Sequence, residues 1–192
     1  MVARLGYFTA TSDLLVGVYE TRMKRQDLEK LLGRLNEAYG SLKSPICQFF
    51  NADRVISALY VATAATAAIV AWRSKTNVAK RLEVEFLVKL SAQDQISRAI
   101  ELVGVSYEAN RVGVCIVSKS VEEIETVKSK LEVLLGCKLI PFVDNQSDYM
   151  VSVLSKVYDV PEQALKSIQA DNSFKALELF LMEKVAISLI SR

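Results

Sequence analysis

Apolar positions recur with two different periods along this chain, and the switches between them predict an ordered series of strands and helices. Residues 3–22 hold two runs rich in β-branched and aromatic residues, RLGYFTAT and LLVGVYETR, split by Ser12-Asp13, and these predict two strands. Leu28, Leu31, Leu32 and Leu35 then follow helical spacing, with Gly40 as the stop. The segment ICQFF at 46–50 predicts a short buried strand. In EVEFLVKL at 83–90, Val84, Phe86, Val88 and Leu90 alternate with Glu83, Glu85, Leu87 and Lys89, which predicts a strand with one reachable face. Ser91 and Asp94 read as a capping pair for a helix that buries Ile96, Ala99, Ile100 and Val103 and stops at Gly104.

VGVCIV at 112–117 carries no polar side chain and predicts an interior strand. Ser120 and Glu123 form a second capping pair, for a helix with Ile124, Val127, Leu131, Leu134 and Leu135 inward and Gly136 after it. CKLIPFV predicts another strand, which Pro141 confines to an edge or a bulge. The last fifty residues read as helices, through Met150, Val153, Leu154 and Val157, then from Pro161, then through Phe174, Leu177, Leu181 and Val185.

One stretch stands apart. VISALYVATAATAAIVAW, from Val55 to Trp72, runs for eighteen residues without a charge, and seven of them are Ala. Length alone allows either a membrane span or a helix buried inside a globular protein. Six strong inserters, Val55, Ile56, Leu59, Val61, Ile69 and Val70, contribute roughly −0.3 to −0.6 kcal/mol each, and the hydroxyls of Ser57, Tyr60, Thr63 and Thr66 offset part of that. Val55, Ile56, Leu59 and Val70 share one arc and the alanines most of the rest, so one face is bulky and the other is shaved for close packing. We expect a central buried helix, opened by Asn51 or Asp53 as cap.

Strands alternating with helices imply an α/β fold: one domain over 1–192, with a mixed central sheet covered by helices on both faces and the Ala-rich helix buried. The start, MVARLGYFTATSD, is no secretory signal, so a cytoplasmic location is expected. Cys47, Cys115 and Cys137, an odd number widely spaced in or beside apolar runs, read as reduced thiols rather than disulfide or zinc partners.

The chain contains no histidine, which removes Ser-His and Cys-His nucleophile pairs and the usual zinc centres. Its seven glycines never cluster, so it has neither a phosphate-cradling loop nor a dinucleotide fingerprint. No cofactor, metal or small-molecule substrate is expected. A carboxylate dyad of Glu83 and Glu85, sharing one strand face, is the enzymatic alternative; solvated charges are the plain reading of the same pair.

Net charge is only +2, so a polyanion would have to bind a local patch. RSKTNVAKR, from Arg73 to Arg81, is such a patch: Arg73, Lys75, Lys80 and Arg81 could pair with phosphates, and Asn77 offers an amide to a base or sugar. The plain alternative is a polar helix exit, with cations favoured by the helix dipole.

FNADRVISALYVATAATAAIVAW followed by KTNVAKRLEVEFLVKLSAQDQISRAIELVGV resembles the smallest kinase-binding subunit of the KEOPS complex, the family of the human PRPK-binding protein. The family's pattern falls on Asn51-Ala52, Asn77-Val78-Ala79, Leu82 to Phe86, Ser91 to Ile96, Ala99-Ile100 with Gly104, and the closing Glu183 to Ile187. Three positions depart from it: Tyr60 stands where a histidine is common, and Ala92 and Asp94 replace the Gly and the basic residue of the Ser-Gly-x-x-Gln-Ile step.

The resemblance implies a non-catalytic subunit that docks on a small kinase-like ATPase and binds the single-stranded CCA end of tRNA during threonylcarbamoyl-adenosine modification. It adds Gln95 to the candidate RNA contacts, although Asp94 beside it should repel phosphate. An amphipathic helix or the C-terminal segment is the candidate docking element. The alternative is an interaction module that regulates a kinase-like partner without touching RNA.

Overall fold

The computed structural model describes residues 6–22 and 46–190; the helix expected from Leu28 to Gly40 lies outside them. Five strands form one sheet: β1 (Tyr7–Thr11), β2 (Leu14–Arg22), β3 (Ile46–Asn51), β4 (Arg111–Ser118) and β5 (Ile140–Pro141). The order is β1-β2-β4-β3, with β5 beside β2, and each pairing is antiparallel, so the sheet is antiparallel throughout and not mixed as expected. VGVCIV is therefore interior, as its unbroken apolar run predicts. CKLIPFV shrinks to a two-residue pairing at Pro141, which lacks the N–H a longer ladder needs.

Seven α-helices complete the described residues: α1 (Ala58–Arg73), α2 (Leu82–Ser91), α3 (Ile96–Val103), α4 (Val121–Leu135), α5 (Asp148–Val157), α6 (Glu162–Ser167) and α7 (Ser173–Ile190). The period-2 alternation of β4 divides its side chains between two cores. Cys115 and Val117 face the cluster built with α1, α2 and α7, whereas Val112, Val114 and Ile116 meet Ile124, Val127 and Leu131 of α4. Helices thus cover both faces, as expected. Gly113 is required here, because a Cβ would stand 2.3 Å from the Phe50 ring.

The Ala-rich segment is the central helix of the larger core. Ala62, Ala64, Ala65, Ala67, Ala68 and Ala71 are all buried, and among the described residues no helix is long and apolar enough to cross a membrane. Its start differs from expectation. Val55 and Ile56 precede the helix, Ser57 is its cap, accepting from the Tyr60 amide at 3.0 Å, and Asp144 accepts from the Ala58 amide at 2.9 Å. Asn51 instead caps the short 3-10 turn Ala52–Arg54, while Asp53 accepts from the amides of Asn110 and Arg111.

The larger correction concerns EVEFLVKL, which is helix α2 and not a strand. Glu85, Phe86, Leu87, Val88, Lys89, Leu90 and Ser91 are buried in succession, so no solvent face exists to enforce a period of two. Leu82, Phe86 and Leu90 stand at i, i+4 and i+8 and satisfy the helical period equally well. Ser91 accordingly ends α2 and does not cap α3; Gln95 holds the cap position, with no side-chain bond. Ser120 does cap α4, accepting from the Glu123 amide at 3.3 Å. The Glu123 carboxylate turns to Ser118 and the Lys119 amide, and these bonds hold its carboxyl below the usual range.

Arg111 locks the 142–145 connection onto the sheet. It pairs with buried Glu20, donates to Asn145 Oδ1 and the Val143 carbonyl, both at 2.6 Å, and lies over the Phe142 ring. Cys47 and Cys115 are buried free thiols, and burial pushes the Cys47 thiol up to about 12.

Candidate nucleic-acid interface

Five of the six candidate contacts cluster together: Arg73 ends α1, and Lys75, Asn77, Lys80 and Arg81 lie in the connection from it to α2. Gln95 does not join them. It follows the far end of α2, a ten-residue helix about 15 Å long. The acid beside it, Asp94, is exposed.

α1 ends in a Schellman motif: the Thr76 amide donates to the Ala71 carbonyl at 2.9 Å and the Lys75 amide to that of Trp72 at 3.2 Å. Lys75 occupies the left-handed position of the motif, with φ 58°, where glycine is the usual residue. Its side chain is exposed, and so is that of Lys80. Neither makes an ion pair among the described residues.

The other members are engaged within the chain. Arg73 forks onto Asp13 of the β1–β2 turn at 2.8 Å, and its guanidinium holds the Asp13 carboxyl below the usual range. Both side chains are about half exposed, so this pair is worth little against a competing phosphate. Asn77 turns inward and donates its amide to the Ala79 carbonyl at 2.9 Å, so it shapes the loop. Arg81 lies 3.6 Å from Glu83.

Glu85 sets the whole loop, and the sequence pattern missed it because the segment read as a strand. Fully buried, it accepts from the amides of both Val78 and Ala79 at 2.9 Å through Oε2. Its Oε1 accepts no hydrogen bond but lies 3.8 Å from the ammonium of Lys89, which in turn donates to Ser188 Oγ at 3.0 Å. Glu83 and Glu85, two residues apart on a helix, project about 200° apart, so the shared face that a carboxylate dyad needs is absent.

The resemblance departures also acquire physical meaning. Ala92 adopts φ 51°, the left-handed conformation that favours the glycine of the family pattern. Ala92→Gly is expected to raise stability by about 1 kcal/mol, measured by urea unfolding; an unchanged or lower midpoint would contradict this. Tyr60 is fully buried and donates to the Leu90 carbonyl at 2.7 Å, beside the ring of Tyr158, so at this position the chain has a core residue.

Helix α7 offers a second surface. Its inner face buries Ala176, Leu177, Leu181 and Val185, yet its outer face also exposes Leu179, Ala186, Ile187 and Ile190, with Glu183 as the one charge among them. A helix that carries exposed apolar side chains opposite its buried face has a second strip to bury.

Residues 20–188 match the family described as kinase binding protein CGI-121. A search of curated proteins finds no match. The matched span is well over half of the sequence, and the chain therefore belongs to the CGI-121 family of kinase-binding proteins.

Proposed function

We propose that this chain is the non-catalytic kinase-binding subunit of a KEOPS complex, docking a kinase-like ATPase through the outer face of α7 and holding the 3′ CCA end of tRNA on the α1–α2 loop. The observation that carries the RNA half is Lys75. A non-glycine residue at a left-handed helix stop costs about 1 kcal/mol, and its side chain is exposed. Strain kept at an exposed cation points to a ligand. Asn77 and Glu85 hold the loop from within, so Lys75 and Lys80 are presented on a fixed backbone, with Arg73 and Arg81 flanking them.

The test is Lys75→Gly, which separates function from fold because the two effects have opposite signs. Unfolding stability is expected to rise by about 1 kcal/mol. Affinity for tRNA is expected to fall, and the dependence of log K on log salt to flatten by about 0.7, the share of one single-strand phosphate contact. A stabilised protein with unchanged affinity and slope would remove Lys75 from the interface.

A second reading has its own support: Arg73 is taken by Asp13 and Arg81 lies near Glu83, as expected of a solvated helix exit. In that case the protein regulates its kinase partner without RNA contact, and Lys75→Gly changes stability alone.

A further inference from the structure

Helix α6 buries none of its residues, although it packs against α7. Two clefts flank it. One, of about 720 Å³, separates it from α5, with Val151, Val160, Pro161 and Leu165 as its apolar lining. The other, of about 450 Å³, lies toward the start of α7, between Leu165, Ile168 and Ala176. Glu162, Leu165 and Ser173 line both, so the two adjoin as one groove around the short helix. Val151 and Val160 are buried at its floor, while Leu165 is left half-buried between the clefts.

The α5 wall of the groove is fixed at both ends. At its start Ser173 Oγ donates to Asp148 Oδ1 at 3.1 Å. At its finish a Schellman motif has the Val160 amide donating to the Ser155 carbonyl at 2.8 Å and the Asp159 amide to that of Lys156 at 3.3 Å. Three exposed carboxylates, Asp148, Asp159 and Glu162, stand on the rim against one exposed cation, Lys156. Among the described residues Asp148 and Asp159 make no ion pair, and Glu162 meets only Lys166, with both side chains largely in solvent. So exposed a pair competes weakly with an incoming cation.

A negative rim over an apolar floor disfavours an anion, and a small hydrophilic cation would leave the floor uncovered. A protein segment with an apolar residue flanked by basic ones satisfies both parts. Ten-residue α5 gives the wall a length of about 15 Å, room for two to three turns of a docked helix. The groove is distinct from the docking face assigned to the end of α7, since Ala176 and Ile187 lie about 16 Å apart along that helix.

We infer that the groove around α6 is a docking site for a basic amphipathic segment of a partner protein, its apolar side chain seated on Val151, Val160 and Leu165 and its lysines or arginines on Asp148, Asp159 and Glu162. The site depends neither on the RNA reading nor on the α7 docking face.

The experiment titrates the full chain with a short fluorescent peptide of alternating leucine and lysine, and with its counterpart carrying glutamine for lysine. The lysine peptide should bind roughly tenfold tighter, the effect of two or three partly exposed ion pairs. Asp159→Asn with Glu162→Gln should remove most of that difference. Ser152→Trp, which fills the larger cleft from an exposed helix position, should block both peptides with the melting temperature unchanged. Ile187→Asp with Ile190→Asp should bind them like wild type, so failure of the α7 docking face leaves this result standing. Equal binding of the two peptides, undiminished binding by Ser152→Trp, or no binding by wild type overturns the site. Spermine displacing the lysine peptide at matched charge concentration means that charge alone is held, and overturns it too. Binding lost in the Ile187 and Ile190 variant would move the peptide to the other end of α7, with the same consequence.

Discussion

Glu85→Ala will destabilise the protein by about 3–5 kcal/mol, the usual consequence of removing one partner from a buried ion pair. Three losses combine at that site. The Lys89 ammonium keeps its burial without its carboxylate, and the amides of Val78 and Ala79 lose their acceptor. Natural domains have only about 5–15 kcal/mol in reserve, so the variant sits near the threshold of folding. Glu85→Met with Lys89→Leu distinguishes the causes: it removes both charges and restores apolar packing, yet leaves the two amides unsatisfied. The double variant should recover most of the stability but should not recover the loop, and amide exchange at Val78 and Ala79 will be fast in an otherwise protected fold. Urea unfolding of the three proteins checks this. A loss under 1 kcal/mol for Glu85→Ala would mean that the pair contributes little and that the loop is held elsewhere.

Ile187→Asp with Ile190→Asp will abolish kinase-partner binding while leaving the fold unchanged. These side chains are 49% and 83% exposed, so introducing charge there has little effect on stability. A docked partner would bury both. Losing apolar anchors at the centre of an interface costs 2 kcal/mol or more, and burying two unpaired carboxylates adds to it, so affinity should fall at least about a hundredfold. Titration of the kinase-like subunit against wild type and variant, with a thermal unfolding control, measures the effect. Unchanged affinity with an unchanged melting point would place the docking surface away from the C-terminal half of α7.

The elements that the sequence predicted best are those where one period alone fits. VGVCIV has no polar interruption and Ser120 to Gly136 carries both of its stop signals, so β4 and α4 sit where the pattern puts them. EVEFLVKL failed because its apolar positions fit periods of 2 and of 3.6, and a segment buried on all sides carries no polar face to choose between them. The basic loop was legible as a run of charges. Its internal division was not: Asp13, sixty residues from Arg73, decides which arginine is engaged, and the inward turn of Asn77 depends on a buried carboxylate that looked solvent-facing in the strand reading. The Arg111, Glu20 and Asn145 lock joins three distant stretches, and no local pattern announces it.

The family match makes this chain a kinase-binding protein, and the left-handed Lys75 carries the proposal that it is also an RNA adaptor. The most direct test of that joint role is binding of intact tRNA against tRNA trimmed of its CCA end, by the purified protein alone and with its kinase-like partner, at two salt concentrations. The account predicts preference for the intact end in both cases, and tighter binding with the partner present if that subunit also contacts tRNA, since a second contact then acts at high effective concentration. Equal affinity for intact and trimmed tRNA, with and without the partner, would contradict it and leave kinase docking as the function of this chain.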